Sequence, residues 1–188
     1  MNVDASIKDS ILACGIPQSA LSTTLLLQGE AKLRTYVLQR EWEKKGDGRA
    51  LFLHPTTPKA RTHALKVFHV LAKEFVLMGA DIHFITLTRL MRNVLSDTED
   101  YDDDLAYRID NAEAVFVSGF QDNAFPKNPH TDDQIFEFYE WLNDFWVRGR
   151  LVYFFADATV QRCTAWWDTT FLAQIEERVD HYEVAEAK

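Results

Sequence analysis

The 188-residue sequence predicts an α/β protein with a mostly parallel sheet of four to five strands and helices on both faces. Short, continuously apolar runs recur at 50–53, 114–117 and 151–155, as expected of strands buried on both sides. Longer segments with apolar residues at helical spacing alternate with them. Glycines stand where one kind of segment gives way to the other, which is the punctuation of repeated strand–helix units.

The elements follow in order. Residues 6–14 form a short helix with Ile7, Ile11 and Leu12 on one side, ended by Gly15-Ile16-Pro17. A helix is expected from about Glu30 to Lys45, stopped by Gly46-Asp47-Gly48, before a first strand at Ala50-Leu51-Phe52-Leu53. The spacing of Ala64, Leu65, Phe68, Leu71, Ala72 and Phe75 predicts a helix over 61–78, closed by Gly79. Strand two is expected at 81–87, helical pieces at 88–95 and 103–109, and strand three at Ala114-Val115-Phe116-Val117. A helix over 132–147 leads to strand four at Leu151-Val152-Tyr153-Phe154-Phe155, and a last helical stretch covers 164–178. A fifth strand either falls near the C-terminus or is absent.

Composition narrows the class of protein. With 47% hydrophobic and 26% charged residues, the chain reads as one folded domain with a sizeable core. Its two cysteines, Cys14 and Cys163, lie far apart without a metal-ligand pattern, so neither a disulfide framework nor a metal site is expected. No stretch approaches the roughly 20 apolar residues needed to span a bilayer, and the N-terminus lacks the apolar core of a signal peptide. The expected location is cytoplasmic, with no membrane contact.

The net charge of −9 argues against holding nucleic acid by bulk charge, but it is unevenly distributed. Residues 32–92 carry 12 basic and 5 acidic side chains, whereas residues 93–188 carry 7 and 21. Single-stranded DNA on the basic half, or head-to-tail self-association, is therefore compatible with the charge pattern.

Ligands of parallel α/β sheets sit beyond the carboxyl ends of the strands. After strand one comes His54-Pro55-Thr56-Thr57-Pro58-Lys59-Ala60-Arg61-Thr62, in the place of a phosphate-binding P-loop. That motif, G-x-x-x-x-G-K-[ST], uses glycines to turn backbone N–H groups onto phosphate, and lysine to reach the outer phosphates. Pro55 and Ala60 occupy the glycine positions here, and Arg61 stands in place of lysine; only Thr62 is kept. Pro55 and Pro58 have no N–H to donate. Each lost charge-assisted donor forfeits roughly 1.5–3 kcal/mol.

Strand three should end in carboxylates that hold magnesium, yet it runs into Ser118-Gly119-Phe120-Gln121-Asp122. Asp122 reads as a solvated turn residue. Asp157, after strand four, would repel phosphate. No catalytic residue, cofactor or metal ligand is expected, and the chain is not expected to be an enzyme.

These stations, with the lead-in Ala13-Cys14-Gly15-Ile16-Pro17, Thr62-His63-Ala64-Leu65 and the run Ile82-His83-Phe84-Ile85-Thr86-Leu87-Thr88-Arg89-Leu90-Met91, resemble the ATPase core of the DnaC/IstB-type AAA+ replicative helicase loaders. The resemblance covers roughly residues 13–180. It implies a RecA/AAA+-like core of five parallel strands over residues 29–188, preceded by an N-terminal lead with a short helix at 1–28. Neither a lid domain nor a helicase-binding domain is expected within these residues. Arg178 resembles the arginine that such proteins direct at a neighbour's nucleotide. The implied partner is a replicative helicase or another replication protein, in a setting such as a phage or mobile element.

The remaining features are weighed against plain packing. Six acids crowd 97–104 without the pattern of a calcium loop, as in a solvated acidic loop. The helix over 132–147 carries Trp141 and Trp146 among more apolar residues than one buried stripe requires, and Trp166-Trp167 point about 100° apart in a helix. These four tryptophans and Arg178 are candidate partner contacts. The six histidines are expected to be ordinary packing or surface residues. The expected function is that of a non-catalytic replication accessory that binds a helicase or initiation protein, to recruit or to block it. The alternatives are a divergent ATPase using Lys59, Arg61 and Thr62, and a single-stranded nucleic-acid binder.

Overall fold

The structure, a computed structural model, describes residues 5–22, 50–95, 101–120, 132–156 and 179–186. The helices expected at 30–45 and 164–178 lie outside these residues. So do Gln121, Asp122, Asp157, Trp166, Trp167, Arg178 and residues 97–100 of the acidic run.

Five strands form one parallel sheet: β1 (Ala50–Pro55), β2 (Ile82–Thr86), β3 (Ala114–Phe120), β4 (Leu151–Ala156) and β5 (Val179–Val184). Their spatial order is β2-β3-β4-β1-β5. The helices are α1 (Ala5–Ala13), α2 (Arg61–Leu77), α3 (Leu87–Leu90, continuing as a π-helical turn over Met91–Leu95), α4 (Asp103–Asn111) and α5 (Asp132–Val147). The fifth strand is the C-terminal one, and it pairs along the whole of β1, from Ala50 opposite Val179 to Pro55 opposite Val184.

Alternation along the strands divides the core in two. Leu51, Leu53, Phe116, Tyr153 and Phe155 point to one face and pack beneath α1 and α2, against Ile11, Phe68, Leu71 and Phe75. Phe52, Val115, Val117, Val152 and Phe154 point to the other and meet α3, α4 and α5 through Leu90, Ile109, Phe138, Leu142 and Trp146. With both faces covered, the strands must be apolar throughout, which is why β1 and β4 are buried at every position. In α1 only Ile11 is buried, while Ile7 and Leu12 of the expected apolar side are exposed.

Helix ends are set by local chemistry. After α2, the Gly79 N–H donates to the Val76 carbonyl and the Ala80 N–H to that of Phe75, a Schellman closure with Gly79 at φ +82°. Residues 149 and 150 close α5 by the same two bonds. At the start of α4, the Asp102 carboxylate accepts from the Leu105 N–H at 2.9 Å. Asp102→Ala is expected to cost about 1 kcal/mol, lowering the melting temperature by roughly 2–4 °C; an unchanged melting curve would show that the cap contributes nothing.

The lead-in is held to edge strand β2. Cys14 presents its carbonyl to the Phe84 N–H of edge strand β2 at 2.7 Å, and Gly15, at φ +85°, lies so close that a Cβ there would sit 2.4 Å from the Phe84 carbonyl oxygen. Ile16 and Ala20 then enter the core beside α2. The buried Lys73 of α2 donates through Nζ to the Ala20 carbonyl at 3.2 Å. Burial lowers the pKa of this ammonium, with Glu74 partly opposing.

Candidate functional site

The loop after β1 leads to a helix on one face, and those after β2 and β3 lead to helices on the other. The carboxyl end of the sheet is thus where a ligand crevice belongs, and the eight residues of the altered P-loop stand there. Their conformation follows from their sequence. Thr57 is extended (φ −141°, ψ 160°) and caps a 3₁₀ turn over Pro58–Ala60, its side chain accepting from the Ala60 N–H at 3.3 Å. A threonine cap followed directly by proline is a favoured start for a helical turn. α2 then begins at Arg61.

Five of the eight residues of this segment have a backbone donor that is absent or bound within the chain. Pro55 and Pro58 have none. Thr56 donates to the Val184 carbonyl at 3.0 Å, Ala60 to the Thr57 carbonyl at 3.0 Å, and Arg61 to the Pro58 carbonyl. The Thr57 hydroxyl donates to the Glu186 carboxylate at 2.7 Å. The segment is therefore fastened at two points to the chain leaving β5, where a phosphate cradle would turn its N–H groups inward. Lys59, Arg61 and Thr62 are exposed at the surface of the turn and first helical residues.

At the end of β3, Ser118 is buried and pairs with Thr86 of β2. The β3–β4 pairing then shifts between Val117 and Phe120, where Gly119 has φ +92°. Neither position offers a carboxylate. Among the described residues no group of three His, Cys, Asp or Glu side chains is placed to hold a metal ion, and no helix is long and apolar enough to cross a membrane. Exposed Arg89 and Arg92 follow β2 at the same end of the sheet as Lys59 and Arg61.

The tryptophans separate. Trp146 is a correction: it was a candidate contact, but at 1% exposed it fills the core between α5 and the sheet. Trp141 is half-buried, stacked between Phe138 and Phe145 with centroids 5.8 and 5.2 Å away. Its indole N–H has no hydrogen-bond partner. The apolar excess of α5 is exposed elsewhere, at Phe136 (63%) and Val147 (71%).

Sequence reasoning missed one feature beside the altered loop. His54 Nε2 and His181 Nδ1 lie 2.9 Å apart, joining β1 to β5. The residues are 127 positions apart, and no spacing rule connects them; only the pairing of β5 along β1 brings them together. Two other histidines, His69 and His83, pack against or within the sheet. His69 meets the edge of Phe84, and burial lowers its pKa. His83 is lowered by burial and by Arg89 and Arg108, against Asp81.

Comparison of the whole fold with solved structures finds replication proteins. DnaI superposes with a TM-score of 0.60 at 13% identity, over 92% of this chain and 92% of that one. The fold is a RecA/AAA+-type core. AMPPCP-bound DnaA from Aquifex aeolicus matches with a TM-score of 0.60 at 9% identity, over 90% of this chain and 51% of its own. A replication initiator DnaA bound to AMPPCP and single-stranded DNA gives 0.58 at 10% identity, over 90% and 50%. The chain thus spans about half the length of the DnaA structures it matches. The five-stranded parallel core that the sequence resemblance implied is present in the architecture. No protein-family model matches the sequence, and no curated protein matches it either.

Proposed function

We propose that this chain is a non-catalytic DNA-replication accessory protein, resembling a helicase loader, which binds a replicative helicase or an initiation protein and so recruits or blocks it. The observation that carries this reading is the turn after β1. Five of its eight residues have a backbone donor that is absent or bound within the chain, and it is fastened to Val184 and Glu186, in a fold shared with initiator and DnaI structures. A scaffold of this kind retains surfaces for a partner without a cycle of hydrolysis to release it.

The reading has a direct test. A ligand that binds only the native state stabilises it: at 100 times its Kd by about 2.7 kcal/mol, roughly 5–11 °C in melting temperature for a chain of this size. Magnesium-ATP at millimolar concentration is expected to leave the melting temperature unchanged. A rise of that size would overturn the non-catalytic reading and favour the divergent ATPase, with Lys59, Arg61 and Thr62 in a rearranged loop. The partner half of the proposal is tested with purified bacterial replicative helicase and initiator; retention of neither removes it.

A second reading rests on the basic residues Lys59, Arg61, Arg89 and Arg92, exposed at one end of the sheet. It takes single-stranded DNA as the ligand and requires binding that weakens steeply with salt.

A further inference from the structure

We propose that His54 and His181 form a proton-sensitive pin, which fastens edge strand β5 and the turn after β1 to the sheet and is undone when the pair takes up a second proton. The argument starts from geometry. At 2.9 Å the facing nitrogens share one hydrogen bond, so one must donate and the other must offer a lone pair. The neutral pair satisfies this, and so does the singly protonated pair, whose bond is charge-assisted. With two protons, both nitrogens carry N–H groups aimed at each other, and two cationic rings stand in contact.

The surroundings sharpen the penalty. His54 is 0% exposed, so a charge on it is held away from water, whereas His181 is exposed and a single charge resides there more easily. Phe52 lies against both rings, with centroids 5.4 Å from His54 and 5.7 Å from His181, and the two imidazoles meet edge to edge, their centroids 5.1 Å apart and their planes 26° from parallel. Among the described residues, β4 brings no charged side chain to the pair. On β5, Glu183 lies opposite His54 and is exposed, while Asp180 belongs to the other face of the strand. Lys59 and Arg61 follow β1, and Glu186 follows β5 bonded to Thr57. Glu137, Glu140 and Asp144 of α5 are exposed to solvent.

The mechanical consequence follows from the register. Among the described residues β5 is an edge strand paired with β1, and the residues at and after its end receive the Thr56 and Thr57 bonds. Loss of the pin therefore loosens the same turn that fills the P-loop position. It does so whether or not the chain binds nucleotide.

The sign of the effect is fixed. In the unfolded chain both histidines protonate near pH 6.5. In the folded chain the second proton is resisted, so stability is held above about pH 6.5 and lost as the pH falls below it. Histidine ring-nitrogen NMR of the full chain tests this. The pair is expected to titrate in two coupled steps, the second below the ordinary histidine value, and two independent titrations near 6.5 would overturn the proposal. Melting curves give a second readout. The drop in melting temperature from pH 8 to pH 5 is expected to be smaller in His181→Gln, which can accept from His54 without taking a proton. His69 and His83 contribute alike to both proteins, so an equal drop overturns the proposal as well.

Discussion

Gly15→Ala is expected to lower the melting temperature by roughly 6–12 °C, from a loss of about 3 kcal/mol. Two costs combine. At φ +85° an L side chain is strained by roughly 1–2 kcal/mol, and the new Cβ would lie 2.4 Å from a backbone oxygen, that of Phe84, which cannot swing aside. Relief requires the lead-in to move away from β2. That breaks the bond from the Phe84 N–H to the Cys14 carbonyl and leaves a strand-edge donor unpaired, worth about 1–3 kcal/mol where water is excluded. Gly79→Ala is the control, because Gly79 has nearly the same φ, +82°, with nothing within 4 Å of its would-be Cβ. It is expected to lose only the conformational part. Equal losses in the two variants would show that contact with Phe84 is not what fixes glycine at position 15.

That comparison also shows what kind of information the sequence held. Gly15-Ile16-Pro17 was readable as a helix stop and as part of a family resemblance, but its reason is a contact with residue 84, which no local pattern encodes. β1, β3 and β4 were legible because burial on both faces makes them apolar at nearly every position. β5 was not, since an edge strand reading Val-Asp-His-Tyr-Glu-Val is neither continuously apolar nor strictly alternating and carries charges of the kind that keep an edge from pairing with another chain.

The candidate site divides the same way. That the P-loop glycines and lysine are replaced was plain in the letters of residues 55–62. Where the backbone donors go instead, to Val184 and within the 3₁₀ turn, depends on a strand more than 120 residues away, and the His54–His181 contact depends on the same pairing.

Trp146 and Trp141 were indistinguishable as candidates because both lie on a helix too apolar for a single stripe, and only the packing separates them. Trp146→Ala is expected to cost about 3–5 kcal/mol, the usual loss for removing a buried aromatic side chain and leaving its cavity. That is a large share of the roughly 5–15 kcal/mol by which domains are stable, and it corresponds to a fall of roughly 6–20 °C in melting temperature. The ring touches the cluster formed by Val152, Phe154, Leu142 and Phe145, close-packed surroundings that relax little to fill the void. Trp141→Phe is expected to stay within about 1 kcal/mol of the unmodified protein, because the variant keeps an aromatic ring between Phe138 and Phe145 and removes an indole N–H that has no partner. If Trp146→Ala instead folded as stably as the parent and lost only the ability to bind a helicase or initiator, Trp146 would belong to a contact surface and its place in the core would be wrong. A protein destabilised at 146 and unaffected at 141 is the outcome that the packing requires.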